Sequence, residues 1–158
     1  MCIRDSVNTH SFPNLIAKNT PNGRRYRVGD SLYPSVTTIT SHQKKDSILK
    51  WRKKVGEEEA NAISKRASIR GNKCHKLCEL YLSNESISKY KDDTLSMGLF
   101  YQIKPYLDSI NNIHALEESL FSNVLKLAGR VDCIAEYNGE LSIIAVSYTH
   151  LTLPTSSR

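Results

Sequence analysis

Asn138-Gly139 narrows the fold of this chain more than any other pair of residues. Both residues tolerate positive φ, which a two-residue type I′ β-turn requires. Alternation runs away from the pair on both sides. Leu127 to Tyr137 carries Val131, Cys133, Ala135 and Tyr137 on one face, and Glu140 to Ile144 forms the return strand. With a two-residue loop, Tyr137 pairs with Glu140, Ile134 with Ile143 and Cys133 with Ile144, so Asp132 comes opposite position 145. Directly opposed residues share a face, with Cβ atoms ~4.5–5.5 Å apart.

Position 145 borders a stretch that reads as foreign. Met1-Cys2-Ile3-Arg4-Asp5-Ser6 can be written ATG TGT ATA AGA GAC AGN, the end of a transposon adaptor used for sequencing libraries. Val146-Ser147-Tyr148-Thr149-His150-Leu151 can be written as the reverse complement of that adaptor, and Thr152-Leu153-Pro154-Thr155 continues it. Residues 1–6 and 145–158 are therefore expected to be cloning or assembly scars; the alternative is a natural strand ending in a Ser/Thr tail. In the Ala145 codon only the first base, G, would be native, which allows Val, Ala, Asp, Glu or Gly. If it were Asp, two carboxylates would meet across the hairpin. They repel unless a cation bridges them, as in a Mg²⁺ or Mn²⁺ site. A Lys two residues on would share that face, diagonal to Asp132, where it would hold a water or stabilise developing charge.

Without those ends the chain keeps 20 Lys+Arg against 15 Asp+Glu, a net charge of +5, and three cysteines, Cys74, Cys78 and Cys133. An odd, sparse set of cysteines gives no disulfide framework and suits a reducing compartment. The length suits one domain of about 100–200 residues. A chain 39% apolar and 24% charged, with mean hydropathy −0.42, reads as globular. No run approaches the ~18 apolar residues of a membrane span. The start of the chain lacks the apolar core of a secretory signal. Net basic charge alone says little about nucleic acid.

Residues 7–22 are Pro/Asn-rich and aperiodic, a loose lead-in. Arg24 to Val28 and Ser31 to Tyr33 suggest a small hairpin around Gly29-Asp30, and Pro34 to Ile39 is extended or leads into a helix. The first helix is expected from Asp46, with Gly56 breaking the chain. Glu57-Glu58-Glu59 then puts negative charge where a second helix starts. That helix is expected to reach Leu82, with a stripe of Ala60, Ile63, Ala67, Cys74, Leu77, Cys78 and Tyr81. A third is expected over Thr94 to Asn112, kinked or split at Pro105. Ala115 to Ser122 opens a meander that continues through the Asn138-Gly139 hairpin. Helices first and a meander after predict an α+β order, in an α+β or α/β class.

Four segments, in order, resemble one family. The run from Gly129-Arg130-Val131-Asp132 to Ile144 is similar to the G-R-x-D … Asp-x-Lys hairpin of PD-(D/E)XK nucleases, in their RecB-like branch. Within that branch it resembles phage exonucleases and the mitochondrial genome maintenance exonuclease family. Tyr33-Pro34-Ser35-Val36-Thr37-Thr38-Ile39 resembles that group's Y-P-S-V-T-x-I segment. Trp51-Arg52 with Glu57-Glu58-Glu59-Ala60 resembles its W-R … E-E-A, and Arg70-Gly71 through His75, Leu77 and Glu79 its R-G-x-x-x-H-x-L-x-E helix. The resemblance implies a restriction-endonuclease-like core, an α/β mixed sheet flanked by helices. It divides the chain into a lead-in with hairpin (7–32) and the first part of a nuclease domain (33–144). The family's Asp-x-Lys would occupy 145 and 147, which are Ala145 and Ser147 here, and its later helix and strand have no counterpart, so the domain is expected to be incomplete at its C-terminus.

Each candidate carries two readings. By the resemblance His75 and Asp132 are metal ligands, Glu117 is a catalytic carboxylate supporting the metal or orienting water, and Glu79 is similar. Without it His75 is a satisfied helix histidine, Asp132 and Glu117 are ordinary strand acids, and Glu79 is solvated. Ser68, Gly71, His75 and Glu79 form a face of their own beside the apolar stripe. Cys74, His75 and Cys78 invite a zinc site, against two thiols behaving as small hydrophobes. Arg52, Arg66, Arg70 and Lys73 would neutralise phosphates in a nuclease and are otherwise a solvated face. Trp51 stacks a base or joins a core. Ser35, Thr37 and Thr38 donate to phosphate or simply cap a loop. The expected function is a fragment of a Mg²⁺- or Mn²⁺-dependent DNA exonuclease acting on single strands or ends, inactive as written because the Asp-x-Lys is missing. The alternatives are a non-catalytic nucleic-acid-binding module on the same fold, and a zinc-binding helical adaptor. DNA is the expected partner, with no membrane and no protein partner to infer. The expected location is the cytoplasm of a bacterial or phage-infected cell rather than the mitochondrial matrix.

Overall fold

A computed structural model describes residues 12–146. The expected scar at 1–6 and most of that at 145–158 lie outside the described residues; Ala145 and Val146 lie within them. The order is β1 (Ala17–Thr20), β2 (Gly23–Val28), β3 (Ser31–Pro34), α1 (Val36–Val55), α2 (Glu57–Leu82), a 3₁₀ turn (Ser88–Tyr90), α3 (Thr94–Leu107), β4 (Ile110–Ser122), β5 (Leu127–Tyr137) and β6 (Glu140–Ile144). The fold is α+β, with helices between two three-stranded antiparallel sheets, β1-β2-β3 and β4-β5-β6. A parallel bridge from Ser35 to Ala128 joins the segment after the small sheet to the start of β5.

The Asn-Gly turn forms as its residues demand, with φ of 52° at Asn138 and 83° at Gly139. The pairs Tyr137–Glu140, Ile134–Ile143 and Cys133–Ile144 are those expected. Elsewhere tertiary contacts override local pattern. The lead-in contains β1, which pairs with β2 through Ala17–Tyr26 to Thr20–Gly23. Helix α1 begins ten residues before Asp46. Ser35 caps it, its hydroxyl accepting from the Thr37 N–H at 3.2 Å. The β-branched run after it is poor helix sequence, but Thr40 donates back to the Val36 carbonyl at 3.1 Å and Thr38 is anchored to Arg24 of β2. Helix α3 stops at Leu107, with Pro105 inside its last turn and no split. Ile110, assigned to that helix by its spacing, opens β4 instead. The β4–β5 register shifts between Asn111 and Ala115, so β4 starts earlier than expected and carries a bulge.

The main core joins Cys74, Leu77, Cys78 and Leu82 of α2 to Phe100 and Leu107 of α3, Ile110 and Ile113 of β4, and Cys133 and Ala135 of β5. The α2 stripe is thus buried at Ala60 and again from Cys74 onward, with Ile63 half-buried and Ala67 exposed between them. A smaller cluster of Tyr26, Tyr33 and Ala128 fastens the small sheet to β5. Tyr33 also donates to Asn123 Oδ1 at 2.9 Å in the β4–β5 turn.

Gly23 is the tightest point of the small sheet. Its φ is +100°, and a Cβ there would lie 2.3 Å from Thr38 Cγ2 at the start of α1. Gly23→Ala therefore combines backbone strain with a clash. We expect a loss of roughly 1–3 kcal/mol, read as a lower urea midpoint at unchanged m-value. An unchanged midpoint would show that β1–β2 and α1 do not meet there.

Candidate metal centre

Three elements converge midway along the β4–β5 ladder, next to where β6 ends. His75 lies on α2, on the face that also carries Gly71 and Glu79, one position off the buried stripe. Asp132 lies on β5, whose alternation buries Val131 and Cys133 in the core and leaves Asp132 half-buried. Glu117 lies on β4 between the pairs Leu116–Cys133 and Glu118–Val131, across from Asp132. One ligand atom from each of His75, Glu117 and Asp132 falls within 4.8 Å of the others, the only such group of three or more among the described residues. His75 Nδ1 is 3.6 Å from Asp132 Oδ2. That oxygen also accepts the Val146 N–H at 2.7 Å, which holds the 145–146 segment against the site.

Glu117 is the unusual member. Its φ is +55°, a left-handed conformation in the middle of a strand. Arg130 Nε donates to the Glu117 carbonyl at 2.8 Å and lies 2.9 Å from its Oε2. Burial is the main influence on the Glu117 carboxyl and raises its pKa above the ordinary value; Arg130 opposes this, Asp132 and Glu79 add to it, and His75 opposes it. A carboxyl with a raised pKa favours the fold fully below the unfolded pKa. That contribution is lost as pH rises through the folded value.

A cleft of about 600 Å³ opens beside the cluster. Its lining includes His75, Asp132, Arg130 and Ala145, with Ser35 and Thr37 from the start of α1 and Arg24 from β2. The donor set suits a hard divalent cation. Two carboxylates balance its charge, and one imidazole with two carboxylate oxygens is a ligand set that Mn²⁺ accepts and Mg²⁺ tolerates.

The other sequence candidates fall in different places. Ser35 and Thr37 reach the cleft, but their hydroxyls are 2.7 Å apart and Ser35 is buried as the cap. Thr38 is turned to Arg24. Trp51, Arg52, Arg66, Arg70 and Lys73 do not line the cleft. Arg52 pairs with Glu57, Arg66 with Glu59 at 3.0 Å, and Lys73 with Asp93; Lys50, Lys53, Lys54 and Lys65 stay exposed on the same two helices. Glu79 is bound to Lys76 outside the ligand group. Cys74 and Cys78 also lie outside it, buried side by side on α2 in the core. The neighbouring Cys74 thiol, together with burial, pushes the Cys78 thiol up, while Cys74 itself is lowered by Cys78. Their spacing on the apolar stripe makes both cysteines part of the core. Sequence reasoning missed Arg24 and Arg130 as cleft residues. Arg130 stands in the quoted motif, two residues before Asp132, and alternation alone puts both on one face.

No family model matches the chain. Mitochondrial genome maintenance exonuclease 1 of Homo sapiens is 25% identical over 123 residues, which are 72% of this chain and 36% of that protein. The Mus musculus protein of the same name is 27% identical over 119 residues, 70% of this chain and 35% of that protein. The chain spans about a third of the length of these curated relatives. Its likeness to them is distant.

Proposed function

We propose that this chain is part of a metal-dependent DNA exonuclease of the PD-(D/E)XK superfamily, in its RecB-like branch. The observation that carries this reading is the convergence of His75, Glu117 and Asp132 from α2, β4 and β5 beside a cleft. The distant likeness to proteins named as exonucleases supports it. His75, Glu117 and Asp132 would hold Mg²⁺ or Mn²⁺. When bound, the ion would polarise a phosphoryl oxygen and lower the pKa of a bound water. The N–H groups at the start of α1, with Ser35 and Thr37, suit a phosphate oxygen. Lys50, Lys53, Lys54 and Lys65, with the sequence-predicted Arg70 and Trp51, supply a basic face for the backbone of single-stranded DNA or a DNA end.

With Ala145 and Ser147 where the family has Asp and Lys, the chain as written is inactive. The same alanine favours one other reading, a DNA-binding module without catalysis, which would be the native state if codon 145 in the source DNA encodes neither Asp nor Glu. The relatives are mitochondrial by name; the location we propose, on the sequence resemblance to phage exonucleases, is the cytoplasm of a bacterial or phage-infected cell. No helix among the described residues is long and apolar enough to cross a membrane.

Mn²⁺ titration followed by electron paramagnetic resonance tests the metal. One ion should bind the 158-residue chain, and Asp132→Ala should weaken it roughly tenfold or more. Binding that ignores Asp132→Ala would sink the metal reading. A labelled single-stranded oligonucleotide should stay uncut in Mg²⁺ or Mn²⁺, and cleavage above the Asp132→Ala background would overturn the inactivity.

A further inference from the structure

We propose that Arg130 is a positioning residue, holding Glu117 in its left-handed conformation so that its carboxylate faces His75 and Asp132. The proposal rests on the metal reading above for its consequence, and on geometry of its own for its cause.

Left-handed backbone is costly for a residue with a side chain, and it persists only where the surroundings over-determine it. Glu117 adopts it at φ +55°, with the β4–β5 ladder resuming at Leu116–Cys133 on one side and Glu118–Val131 on the other. At this residue the carbonyl is met by a side chain from β5. Arg130 Nε meets that carbonyl at 2.8 Å and the same residue's Oε2 at 2.9 Å. One guanidinium thus grips both the backbone and the side chain of the strained residue. Arg130 and Asp132 are two apart on β5 and share its cleft-facing side. This fixes the distance between the gripping residue and the ligand across from Glu117.

The charge of Arg130 makes the proposal decidable. A guanidinium beside a cation site repels the cation. If Arg130 were only a surface ion pair, its side chain 58% exposed, removing it would strengthen Mn²⁺ binding. If it positions Glu117, removing it weakens binding despite the lost repulsion.

The experiment is Mn²⁺ titration of the full chain by electron paramagnetic resonance, with Arg130→Ala, Glu117→Ala and the double variant. Backbone ¹³C shifts of Glu117 are recorded on the metal-free proteins. Arg130→Ala should lower Mn²⁺ affinity roughly tenfold, and the loss should vanish in the Glu117→Ala background. In the metal-free protein the Glu117 shifts should move from left-handed to strand values. Arg130→Lys, which keeps the charge but not the planar donor, should restore neither. Unchanged or tighter binding in Arg130→Ala, or unmoved Glu117 shifts, overturns the positioning role. If the parent chain binds no Mn²⁺ while the shifts move as expected, the metal reading fails and the grip of Arg130 on Glu117 stands.

Discussion

Ala145→Asp should tighten Mn²⁺ binding by about tenfold or more, equivalent to at least about 1.4 kcal/mol. Carried one residue past the last pair, Cys133–Ile144, the hairpin register brings residue 145 across from Asp132, and Ala145 lines the cleft with His75 and Asp132. The neighbouring Val146 N–H is bonded to Asp132 Oδ2 at 2.7 Å, so little chain movement is needed for a new carboxylate to reach the ion. Without metal the same substitution should hurt. A second carboxylate beside Asp132, with Glu117 close by, adds like charge to a half-buried site. The metal-free protein should therefore melt earlier, and saturating Mn²⁺ should raise its melting temperature by more than it raises that of the parent chain, because the ion binds the folded state alone. An Mn²⁺ affinity unchanged by Ala145→Asp, in a protein that remains folded, would remove position 145 from the metal centre. It would also remove the argument that a missing aspartate accounts for inactivity.

Phe100→Ala should cost about 3–5 kcal/mol, a large share of the roughly 5–15 kcal/mol that keeps an ordinary domain folded. Phe100 is fully buried, in the cluster where α2, α3 and the larger sheet meet. Its ring stands edge-on to Tyr81 of α2, with centroids 5.4 Å apart and planes at 71°. Truncation opens a cavity between the two helices and removes that contact. The effect should reach the site, because α2 carries His75 and docks on the sheet through this cluster. Urea unfolding followed by circular dichroism measures the loss, and Phe100→Leu should retain most of the stability. A loss below about 1 kcal/mol for Phe100→Ala would mean that the core does not depend on this ring.

The parts of the fold legible in the sequence were those set by short-range chemistry. Asn138-Gly139 fixed the turn, and with it the pairing that puts residue 145 beside Asp132. The Glu57-Glu58-Glu59 start and the Cys74, Leu77, Cys78 spacing fixed α2 and its buried stretch. What stayed hidden depends on distant partners. Ser35 and the threonines after it are poor helix sequence until Arg24 anchors Thr38. Ile110 fits the spacing of a helix as well as that of a strand, and packing assigns it to β4. At the site, His75, Glu117 and Asp132 were candidates, but only the fold brings them together. The left-handed Glu117 leaves no trace in composition, because glutamate has no preference for that conformation; Arg130 supplies the reason from across the ladder.

The hairpin also limits how this chain can gain or lose residues. Side chains alternate along a strand, so one inserted or deleted residue between Glu140 and Ile144 would turn every later side chain to the opposite face. Residue 145 would then point away from Asp132, whereas a change of two would keep the facing and alter only the depth. The loop 123–126, between β4 and β5, lies outside both strands and carries no such parity. Length variation can collect there at small entropic cost without disturbing the alignment of Glu117 with Asp132.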